Sequence, residues 1–413
     1  MRKILVIGAA GGVAKVAVER LSRSRPDLVF TLADLDPSRV APSLTREGAR
    51  AVRLDLFDSA ALQEMVDGHD LVLHGAGPYI RTAPPVARAC LARKVAYVDF
   101  ADDIEAFEAM IPLHEDARRA AVTLIMGCGV SPGLTNVFAA DLERRFDEVE
   151  VLDIAWASGD EGGGVMGRAV LEHVIHITGG EGARWRDGRL ERFKSLTHPS
   201  RFPMGGGLGD RPLFEIAHPE PVMLGRSYPK TRLIRCFGAI DPPAVMAVVR
   251  GVARAVQDNR LDLDEAIRFM QETMGGKVVS SPAWRYALGG LASGIRERFV
   301  GGRDALSFAG YAALGRHAPF KGGILCRIEG TVDGRRKTLV QRSVKAGPGT
   351  FVDSMAGATG TCAAAFTLLA LERTLEPGLQ FPEAFPPDAV YAALDRVGAS
   401  TADMIGHVIE RRV

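Results

Sequence analysis

The sequence predicts an α/β protein built on a doubly wound parallel sheet, followed by an α+β domain. Three observations predict this fold class: a glycine-rich turn directly after an apolar strand at 3–7, strands that alternate with helices over the first third, and longer strands beyond about residue 137. Such alternation is typical of a parallel sheet with helices on both faces. A chain of 413 residues is also long enough for two domains.

The elements of the first third follow one another in a regular order. Apolar runs predict strands at 3–7, 30–33, 51–54, 71–74, 96–100 and 122–126. Apolar residues at helical spacing predict helices at 13–23, 60–66, 85–92 and 104–120, the third of which opens on a proline. Ligands of such sheets bind in crevices at the carboxyl ends of the strands, which directs attention to the strand-end loops.

The remainder of the chain has a different pattern. Longer strands are predicted at 149–158, 228–237 and 324–342, the last with a hairpin turn at Asp333–Gly334, and helices at 165–177, 243–256 and 264–272. The glycine-punctuated, basic stretch at 290–323 breaks this pattern. We interpret it as a mobile lid or a partner-contacting insert, with a disordered surface loop as the alternative.

Composition excludes several classes of protein. The chain has 51 basic and 50 acidic side chains, a net charge of +1, so neither nucleic acid nor an anionic membrane surface is an expected partner. Five scattered cysteines without a CxxC pair predict no disulfide framework and no metal site, and favour a cytoplasmic location. No signal peptide is recognisable, and the apolar stretch 356–371 is expected to be a packed helix.

The opening VIGAAGGVA has the spacing of a dinucleotide-binding loop. Gly8 would form the tight turn, Gly11 would admit the pyrophosphate, and Ala14 is small enough for the helix to pack on the strand. Gly12 and Val13 begin the following helix, whose free N–H groups would bind phosphate oxygens. The alternative is a purely structural turn between a strand and a helix.

Other strand ends contribute to the same predicted cofactor site. Asp34 ends the second strand, where a carboxylate binds ribose hydroxyls and repels a 2′-phosphate, so NAD is favoured over NADP, although Arg39 is close enough to leave NADP possible. Asp55 follows the third strand. The turn after the fourth strand supplies four more candidate cofactor-binding residues: Gly75, Ala76, Gly77 and Pro78.

Three side chains at the following strand ends are candidates for proton transfer. Tyr79 could bond substrate or cofactor, or be an ordinary half-buried tyrosine. Asp99 and its neighbours Asp102 and Asp103 could orient or deprotonate an amino group, with capping of the next helix as the alternative, which is favoured for Asp102 and Asp103. Cys128 lies where the reacting carbon is expected, with an inert buried thiol as the alternative. Beyond it, Ser131–Pro132 is predicted as the N-cap and first residue of a helix.

Several motifs together resemble the saccharopine dehydrogenase-like family, in the branch with saccharopine reductase, lysine 6-dehydrogenase and carboxynorspermidine dehydrogenase. The matching segments are VIGAAGGVA, TLADLD, GAGPYIRTAPPVARACL, YVDFADD, GCGVSPGLTN, HPEP at 218–221 and SMAGATGTCAAA at 354–365. The resemblance implies a Rossmann domain over 1–135 that is completed by 355–413, and an inserted α+β substrate-binding and dimerisation domain over 136–354.

The resemblance also implies an activity and the residues for it. It implies an NAD(P)-dependent oxidoreductase that transfers hydride between the nicotinamide and the CH–NH carbon of an amino acid or opine-like amine. The implied substrate-binding residues are Ser131, Asn136, Arg201 and Arg226, and Ser131 replaces an acidic residue of saccharopine reductases. A small-molecule amine substrate and a homodimer are expected. The alternatives are a trans-acting enoyl reductase-like C=C reductase and a non-catalytic NAD(P)-binding module.

Overall fold

The computed structural model describes residues 2–45, 49–159, 167–205, 208–274, 277, 279–313, 322–343, 354–373, 375–399 and 406–411. The chain forms two compact units. The first comprises Met1–Phe146 and Ala356–Ala402, and the second comprises Asp147–Met355 and Asp403–Val413. The prediction that the Rossmann domain extends to residue 413 differs from this division, because the last strand pairs within the second unit.

The described residues of the first unit begin with a regular series of strands and helices. The strands are β1 (Lys3–Ile7), β2 (Val29–Asp34), β3 (Ala49–Arg53), β4 (Leu71–His74), β5 (Ala96–Asp99) and β6 (Thr123–Ile125). The helices are α1 (Gly12–Ser24), α2 (Ser59–Val66), α3 (Tyr79–Arg93), α4 (Ile104–Met110), α5 (His114–Ala120) and α6 (Leu134–Glu143). Short 3₁₀ turns connect some of them at Pro37–Arg39, Pro42–Leu44 and Ile111–Leu113.

The second unit follows, and the chain then returns to the first. The second unit contains β7 (Glu148–Gly159), α7 (Arg168–Gly179), β8 (Glu181–Arg186), β9 (Arg189–Lys194), β10 (Thr197–Gly205), β11 (Gly209–Glu215), α8 (Glu220–Ser227), β12 (Leu233–Asp241), α9 (Pro243–Gln257), α10 (Leu263–Met274), α11 (Trp284–Arg296), α12 (Gly302–Ala313), β13 (Gly323–Val332) and β14 (Arg335–Arg342). The returning segment contains α13 (Met355–Glu372), β15 (Gly378–Gln380) and α14 (Pro387–Arg396), and β16 (Gly406–Arg411) rejoins the second unit.

The sheet of the first unit is parallel, which confirms the predicted fold class. Its described strands run in the order β15-β6-β5-β4-β1-β2-β3, and every pair in the sheet is parallel. The chain reverses its direction of winding between β1 and β4. In doubly wound sheets this switch point opens a crevice at the carboxyl ends of the two strands.

Two helices of this unit begin at positions that differ from the predictions. Helix α3 begins at Tyr79 rather than Pro85 and keeps both Pro84 and Pro85 in its interior. The prolines leave carbonyls in the preceding turn without an N–H partner, and that turn contains the exposed residues Ile80 and Arg81, whose carbonyls water can reach.

Helix α6 begins at Leu134, so the predicted start at Ser131–Pro132 was wrong. Gly133 takes the N-cap position with φ +129°, a conformation that favours glycine. The Gly133 N–H donates to Oδ1 of Asn136 at 3.1 Å, and the Asn136 N–H donates to the Gly133 carbonyl at 3.0 Å. This local hydrogen bonding, rather than the Ser-Pro pair, defines where the helix starts.

The second unit is built on a mixed sheet. Its main path runs β10-β11-β12-β7-β13-β14-β16, and β8 joins β12 and carries β9. Only β7 and β12 are parallel among the described strand pairs of this sheet. The sheet curls, since the Arg342 side chain of β14 donates to the Pro203 carbonyl of β10.

Part of the predicted lid at 290–323 is a packed helix. The backbones of α11 and α9 approach so closely that a Cβ on Gly290 would lie 2.2 Å from the Ala247 carbonyl oxygen. Ala287, Gly290 and Gly294 are buried on this face. Small residues at helical spacing produce this close packing at the start of the stretch. The interpretation of 290–323 as a mobile lid or a partner-contacting insert stays a prediction, and residues 314–321 lie outside the described residues.

Helix α13 confirms the packed helix predicted at 356–371. It is the one helix of the described residues that is long and apolar enough to cross a membrane, and 61% of its residues are buried within the protein. A Cβ on its Gly360 would lie 2.6 Å from the Val13 carbonyl oxygen and from Cβ of Val16, so α13 packs directly on α1.

Candidate functional site

The loop after β1 is held against the loop after β4. Gly8 has φ +78°, and a Cβ there would lie 2.7 Å from the Gly75 carbonyl carbon and 2.8 Å from the Ala76 nitrogen. The Gly8 and Ala9 N–H groups both donate to the Ala33 carbonyl, at 2.9 and 3.2 Å. The structure therefore brings together the predicted cofactor residues of both strands at the switch point of the sheet.

The first turn of α1 is open to an anion. Helix α1 starts at Gly12 with Gly11 as its N-cap, both residues are exposed, and the first turn contains no acidic side chain. Val13 is half-buried, whereas Ala14 is buried against the sheet, as its predicted packing role requires. Unpaired N–H groups at a helix start are suited to phosphate oxygens.

Asp34 positions the glycine loop as well as facing the predicted ribose site. Its Oδ2 accepts from the Ala10 N–H at 3.0 Å, and its Oδ1 accepts from the Asp36 N–H at 3.1 Å. Each carboxylate oxygen has a second lone pair for a ribose hydroxyl. Asp55 is exposed, and its Oδ1 accepts from the Phe57 N–H at 2.9 Å, so it shapes the loop after β3.

Apolar side chains that follow β2, β3 and β4 are exposed, and they were not among the predicted site residues. Leu35 and Phe57 are each 61% exposed and Ile80 is 46% exposed, and they follow β2, β3 and β4 respectively. The Arg81 guanidinium lies 5.3 Å from the centre of the Phe57 ring. Exposed apolar and guanidinium faces at this edge suit stacking on a purine base. The sequence offered a signal for two of these residues, because Leu35 directly follows Asp34 and Phe57 lies two residues after Asp55.

The side chain of Thr82, in the first turn of α3, holds the turn after β4 in place. Its hydroxyl donates to the Ala76 carbonyl at 2.6 Å and lies 3.2 Å from Nε2 of His74. Gly77 and Pro78 are exposed, so their backbone is available to a ligand. Gly75 is required by close approach, because a Cβ there would lie 2.7 Å from the Phe100 ring.

The buried imidazole of His74 is expected to make the first unit sensitive to acid. Burial lowers the pKa of His74 from 6.5 to about 3. The unfolded chain therefore takes up a proton below about pH 6.5 that the folded unit takes up only near pH 3, and this uptake lowers the free energy of unfolding by about 1.4 kcal/mol per pH unit across that window. Burial raises the pKa of Asp99 from 3.8 to about 6, which acts in the opposite direction between those values.

The variant His74→Asn separates the two effects. Its free energy of unfolding is measured in urea at several pH values from 7 to 4. Because the variant lacks the proton uptake of His74, its stability is expected to fall less steeply than that of the wild type as the pH drops from 6 toward 4. The comparison uses the pH slopes of variant and wild type, because all other groups contribute equally to both. Identical slopes would contradict the assignment to His74.

Asp99 is engaged by three donors inside the first unit. Its carboxylate accepts from the Tyr97 hydroxyl at 2.6 Å and from the N–H groups of Ala101 and Gly127 at 3.1 and 2.8 Å. The residue has no exposed surface. Asp99 thereby ties the end of β5 to the loop after β6, and its catalytic role stays a prediction.

Tyr79 and Cys128 are also enclosed. Burial, and next the charge of Asp99, raise the pKa of the Tyr79 phenol well above its usual range, and its ring packs edge-on against His74 and Phe100. Burial likewise raises the pKa of the Cys128 thiol. Both groups hold their protons at neutral pH, so each is suited to donating a hydrogen bond and poorly suited to acting as a base.

The predicted substrate-binding residues have diverse environments. Asn136 is fully buried, with Oδ1 on Gly133 and Nδ2 donating to Oε2 of Glu383 at 2.9 Å, so it serves as an internal connection rather than an open binding group. Ser131 is half-buried, with its Oγ 3.4 Å from the Thr135 hydroxyl. Arg201 and Arg226 are exposed on β10 and α8, and their roles stay predictions.

A second polar cluster lies in the second unit, around the motif HPEP at 218–221. Nδ1 of His218 lies 2.6 Å from Oε2 of Glu220, and one ligand atom each of His218, Glu220 and Cys236 lie within 4.8 Å of one another. The Trp156 ring packs on His218 at a centroid distance of 5.5 Å, and the His173 ring approaches it edge-on at 6.4 Å. The signal was available as a histidine and a glutamate separated by one proline.

Comparisons with known proteins agree with this geometry. Residues 4–125 match the family model of the saccharopine dehydrogenase NADP binding domain. Over 353 residues the chain is 26% identical to the Synechocystis sp. carboxyaminopropylagmatine dehydrogenase. The alignment covers 82% of this chain and 80% of that relative.

Solved structures show the same fold over both units. A saccharopine dehydrogenase (L-Glu forming) from Saccharomyces cerevisiae superposes with a TM-score of 0.63 at 16% identity, covering 100% of both chains. The homospermidine synthase of Legionella pneumophila, solved in complex with NAD, gives a TM-score of 0.59 at 11% identity, covering 100% of this chain and 91% of that one. These structures confirm the predicted fold class. The family model and the Synechocystis relative support the resemblance to saccharopine dehydrogenase-like proteins.

Proposed function

Because the first unit belongs to the saccharopine dehydrogenase NADP-binding domain family and the chain is an NAD(P)-dependent oxidoreductase, we propose that it transfers hydride to or from the CH–NH carbon of an amino acid or opine-like amine. The assembled crevice between β1 and β4 carries this proposal, since Gly8 and Gly75 are in contact there. The name of the Synechocystis relative supports a substrate that combines an amine with a carboxylate.

The residues of the first unit fit a dinucleotide in three places. The open first turn of α1 suits the pyrophosphate, Asp34 suits the ribose, and Leu35 with Phe57 suits the adenine face. The bound nicotinamide would supply the hydride acceptor or donor, and the chain must align the substrate carbon with it and exclude water. The exposed backbone of Gly77–Pro78, at the carboxyl end of β4, is available for that alignment.

Asp34 supports a preference for NAD, which Asp34→Ala should weaken. Removing the carboxylate removes the ribose hydrogen bonds and the repulsion of a 2′-phosphate, so the ratio of the Kd values for NADP and NAD is expected to fall about 10-fold. Protein fluorescence during titration with each cofactor measures both constants. The matched control is Asp36→Ala, because Asp36 is exposed and its carboxylate accepts from the N–H and the hydroxyl of Ser38, whereas its own N–H, which donates to Asp34, is kept in the variant. An unchanged ratio in Asp34→Ala would count against the assignment.

A substrate screen tests the proposed activity. The purified chain is supplied with oxidised or reduced NAD or NADP and with lysine, saccharopine, diamines, amine-plus-keto-acid pairs or an enoyl thioester, and the absorbance of the reduced nicotinamide is followed. An amine-dependent change is the expected result. Turnover of the enoyl thioester alone would replace the proposal by C=C reduction, and cofactor binding without any turnover would favour a non-catalytic module.

We further infer that the chain forms a homodimer and that it works in a reducing, cytoplasmic compartment. Leu288 and Ile295 lie one heptad apart on α11 and are 57% and 48% exposed, and Leu306 of α12 is 75% exposed. These exposed apolar side chains support a contact with a second copy of the chain. All five cysteines are buried and unpaired with one another, as a reducing compartment allows. Light scattering of the wild type and of Leu288→Lys tests the dimer, and an unchanged mass in the variant would contradict this surface.

A further inference from the structure

Three side chains that can each ligate a metal ion meet inside the second unit. His218, Glu220 and Cys236 each offer one ligand atom, and these atoms lie within 4.8 Å of one another. The three residues are buried, with 3%, 0% and 1% of their surface exposed. An imidazole, a carboxylate and a thiol therefore lie together away from bulk solvent.

Regular secondary structure holds these three side chains in place. Glu220 is the first residue of α8, and His218 comes two residues before it, with Pro219 between them. Cys236 lies in β12, which pairs with β7 on one side and with β11 on the other. Ligands that are already positioned in this way lose little conformational freedom when an ion binds.

The spacing of the cluster is close to that of a zinc site. Nδ1 of His218 lies 2.6 Å from Oε2 of Glu220, and the Cys236 thiol donates a hydrogen bond to Glu220. Given the bond lengths to zinc, the ligand atoms around a tetrahedral ion lie about 3.3–3.7 Å apart. The His218–Glu220 pair therefore needs to open by less than about 1 Å, and the ion then takes the place of the protons in the cluster.

Charge and donor type favour zinc over harder ions. One carboxylate and one thiolate carry two negative charges, which a divalent ion neutralises while His218 remains a neutral ligand. This balance matters for Glu220, because an uncompensated charge is costly at a fully buried position. Imidazole and thiolate ligands suit Zn²⁺, whereas Mg²⁺ and Ca²⁺ prefer oxygen ligands.

The indole of Trp156 can support a metal-bound thiolate. Its Nε1 is buried and has no hydrogen-bond partner of good geometry among the described residues, although the Cys236 sulfur lies close to it. Gly238 makes room for the indole, since a Cβ there would lie 2.5 Å from Cζ2 of Trp156. A thiol is a weak acceptor, whereas an ionised acceptor forms stronger hydrogen bonds. A zinc-bound Cys236 would therefore give the indole N–H an acceptor, and such outer donors strengthen metal sites.

We propose that His218, Glu220 and Cys236 bind a zinc ion that joins the start of α8 to β12, with water as the fourth ligand. This inference goes beyond the proposed function and does not depend on it, because no catalytic step involves the ion. The scattered cysteines predict no metal site, but that expectation considers only cysteine spacing. Here one ligand is a cysteine and the other two come from HPEP, so the spacing of cysteines carries no signal for the site.

Binding of Co²⁺ to the untagged full chain tests the site, because Co²⁺ replaces zinc and its bond to a thiolate gives a charge-transfer absorption in the near ultraviolet. After treatment with a chelator, the wild type is expected to take up one Co²⁺ per chain with this absorption, and Zn²⁺ should displace it. Cys236→Ser should lose the absorption, and Glu220→Gln should bind Co²⁺ about 100-fold more weakly. Zn²⁺ should raise the Tm of the wild type, whereas Mg²⁺ should not.

Cys326→Ser is the matched control. Cys326 of β13 and Cys236 of β12 are both buried and both pair with Ile154 of β7, so the two thiols belong to one row of the sheet. The control should keep the absorption and the affinity for Co²⁺. A folded wild type without the absorption, or an absorption that survives Cys236→Ser or is lost in Cys326→Ser, would overturn the site. If Cys236→Ser fails to fold, an unchanged affinity in Glu220→Gln would overturn it equally.

Discussion

Replacing Asp153 with asparagine is expected to lower the free energy of unfolding of the second unit by about 3–5 kcal/mol. Asp153 has no exposed surface, and its carboxylate accepts from Arg235 at 2.8 and 3.1 Å and from Arg327 at 2.5 and 3.1 Å. Asparagine removes the buried negative charge that both guanidinium groups share and brings an NH₂ group toward their donors. Urea denaturation, followed by circular dichroism, measures the loss.

The control for this prediction is Glu150→Gln. Glu150 lies on the same strand, β7, and pairs with Arg336, but both side chains reach solvent, with 31% and 61% exposed. Water screens such a pair, so its loss should cost less than about 1 kcal/mol. Equal effects of the two variants would mean that burial of Asp153 does not determine its contribution.

Gly8→Ala should weaken binding of NAD(H) about 100-fold or more, equivalent to about 2.7 kcal/mol. The methyl group meets the Gly75 carbonyl at 2.7 Å, and the φ of +78° disfavours any side chain. The two loops must therefore separate at the point where the cofactor is expected to bind. Titration with NADH, followed by fluorescence, measures the change in Kd.

Gly68→Ala provides a control with matched backbone strain. Gly68 has φ +75°, and no atom of the described residues lies within 4 Å of the position that a Cβ would take. Alanine at this position is therefore strained by the positive φ but contacts no neighbouring loop. This variant should lose about 1 kcal/mol of stability and keep its affinity for NADH. A similar loss of affinity in both variants would show that strain, rather than contact between the two loops, is responsible.

Local patterns were sufficient to predict the first unit. Three short-range signals predict a doubly wound fold: the apolar strands, the spacing Gly8-x-x-Gly11-x-x-Ala14 and the aspartate at the end of β2. Helix starts were less predictable, because α6 depends on the side chain of Asn136 reaching back to Gly133, and α3 retains two prolines that solvent exposure of the preceding turn makes tolerable.

The second unit could be predicted only in outline. Its sheet joins strands far apart in sequence, so the pairing of β7 with both β12 and β13 has no local signal. The Asp153–Arg235–Arg327 cluster depends on that register, as does the position of Cys236 beside Glu220. The contact of His218 with Glu220 is local in sequence, but the sequence does not show that both side chains are buried. A histidine and a glutamate two residues apart form a strong hydrogen bond only where burial removes competing water.

The interruption of the first unit by the second has a consequence for protein synthesis. Helix α13, which packs on Val13 and Val16 of α1, leaves the ribosome only after nearly all of the second unit. The edge strand β15, which pairs with β6, arrives later still. A nascent chain can therefore complete most of the second sheet while the loop after β1 and helix α1 still lack the helix that packs on them. Cofactor affinity is thus expected to be acquired late, at the point where the returning segment closes the first unit.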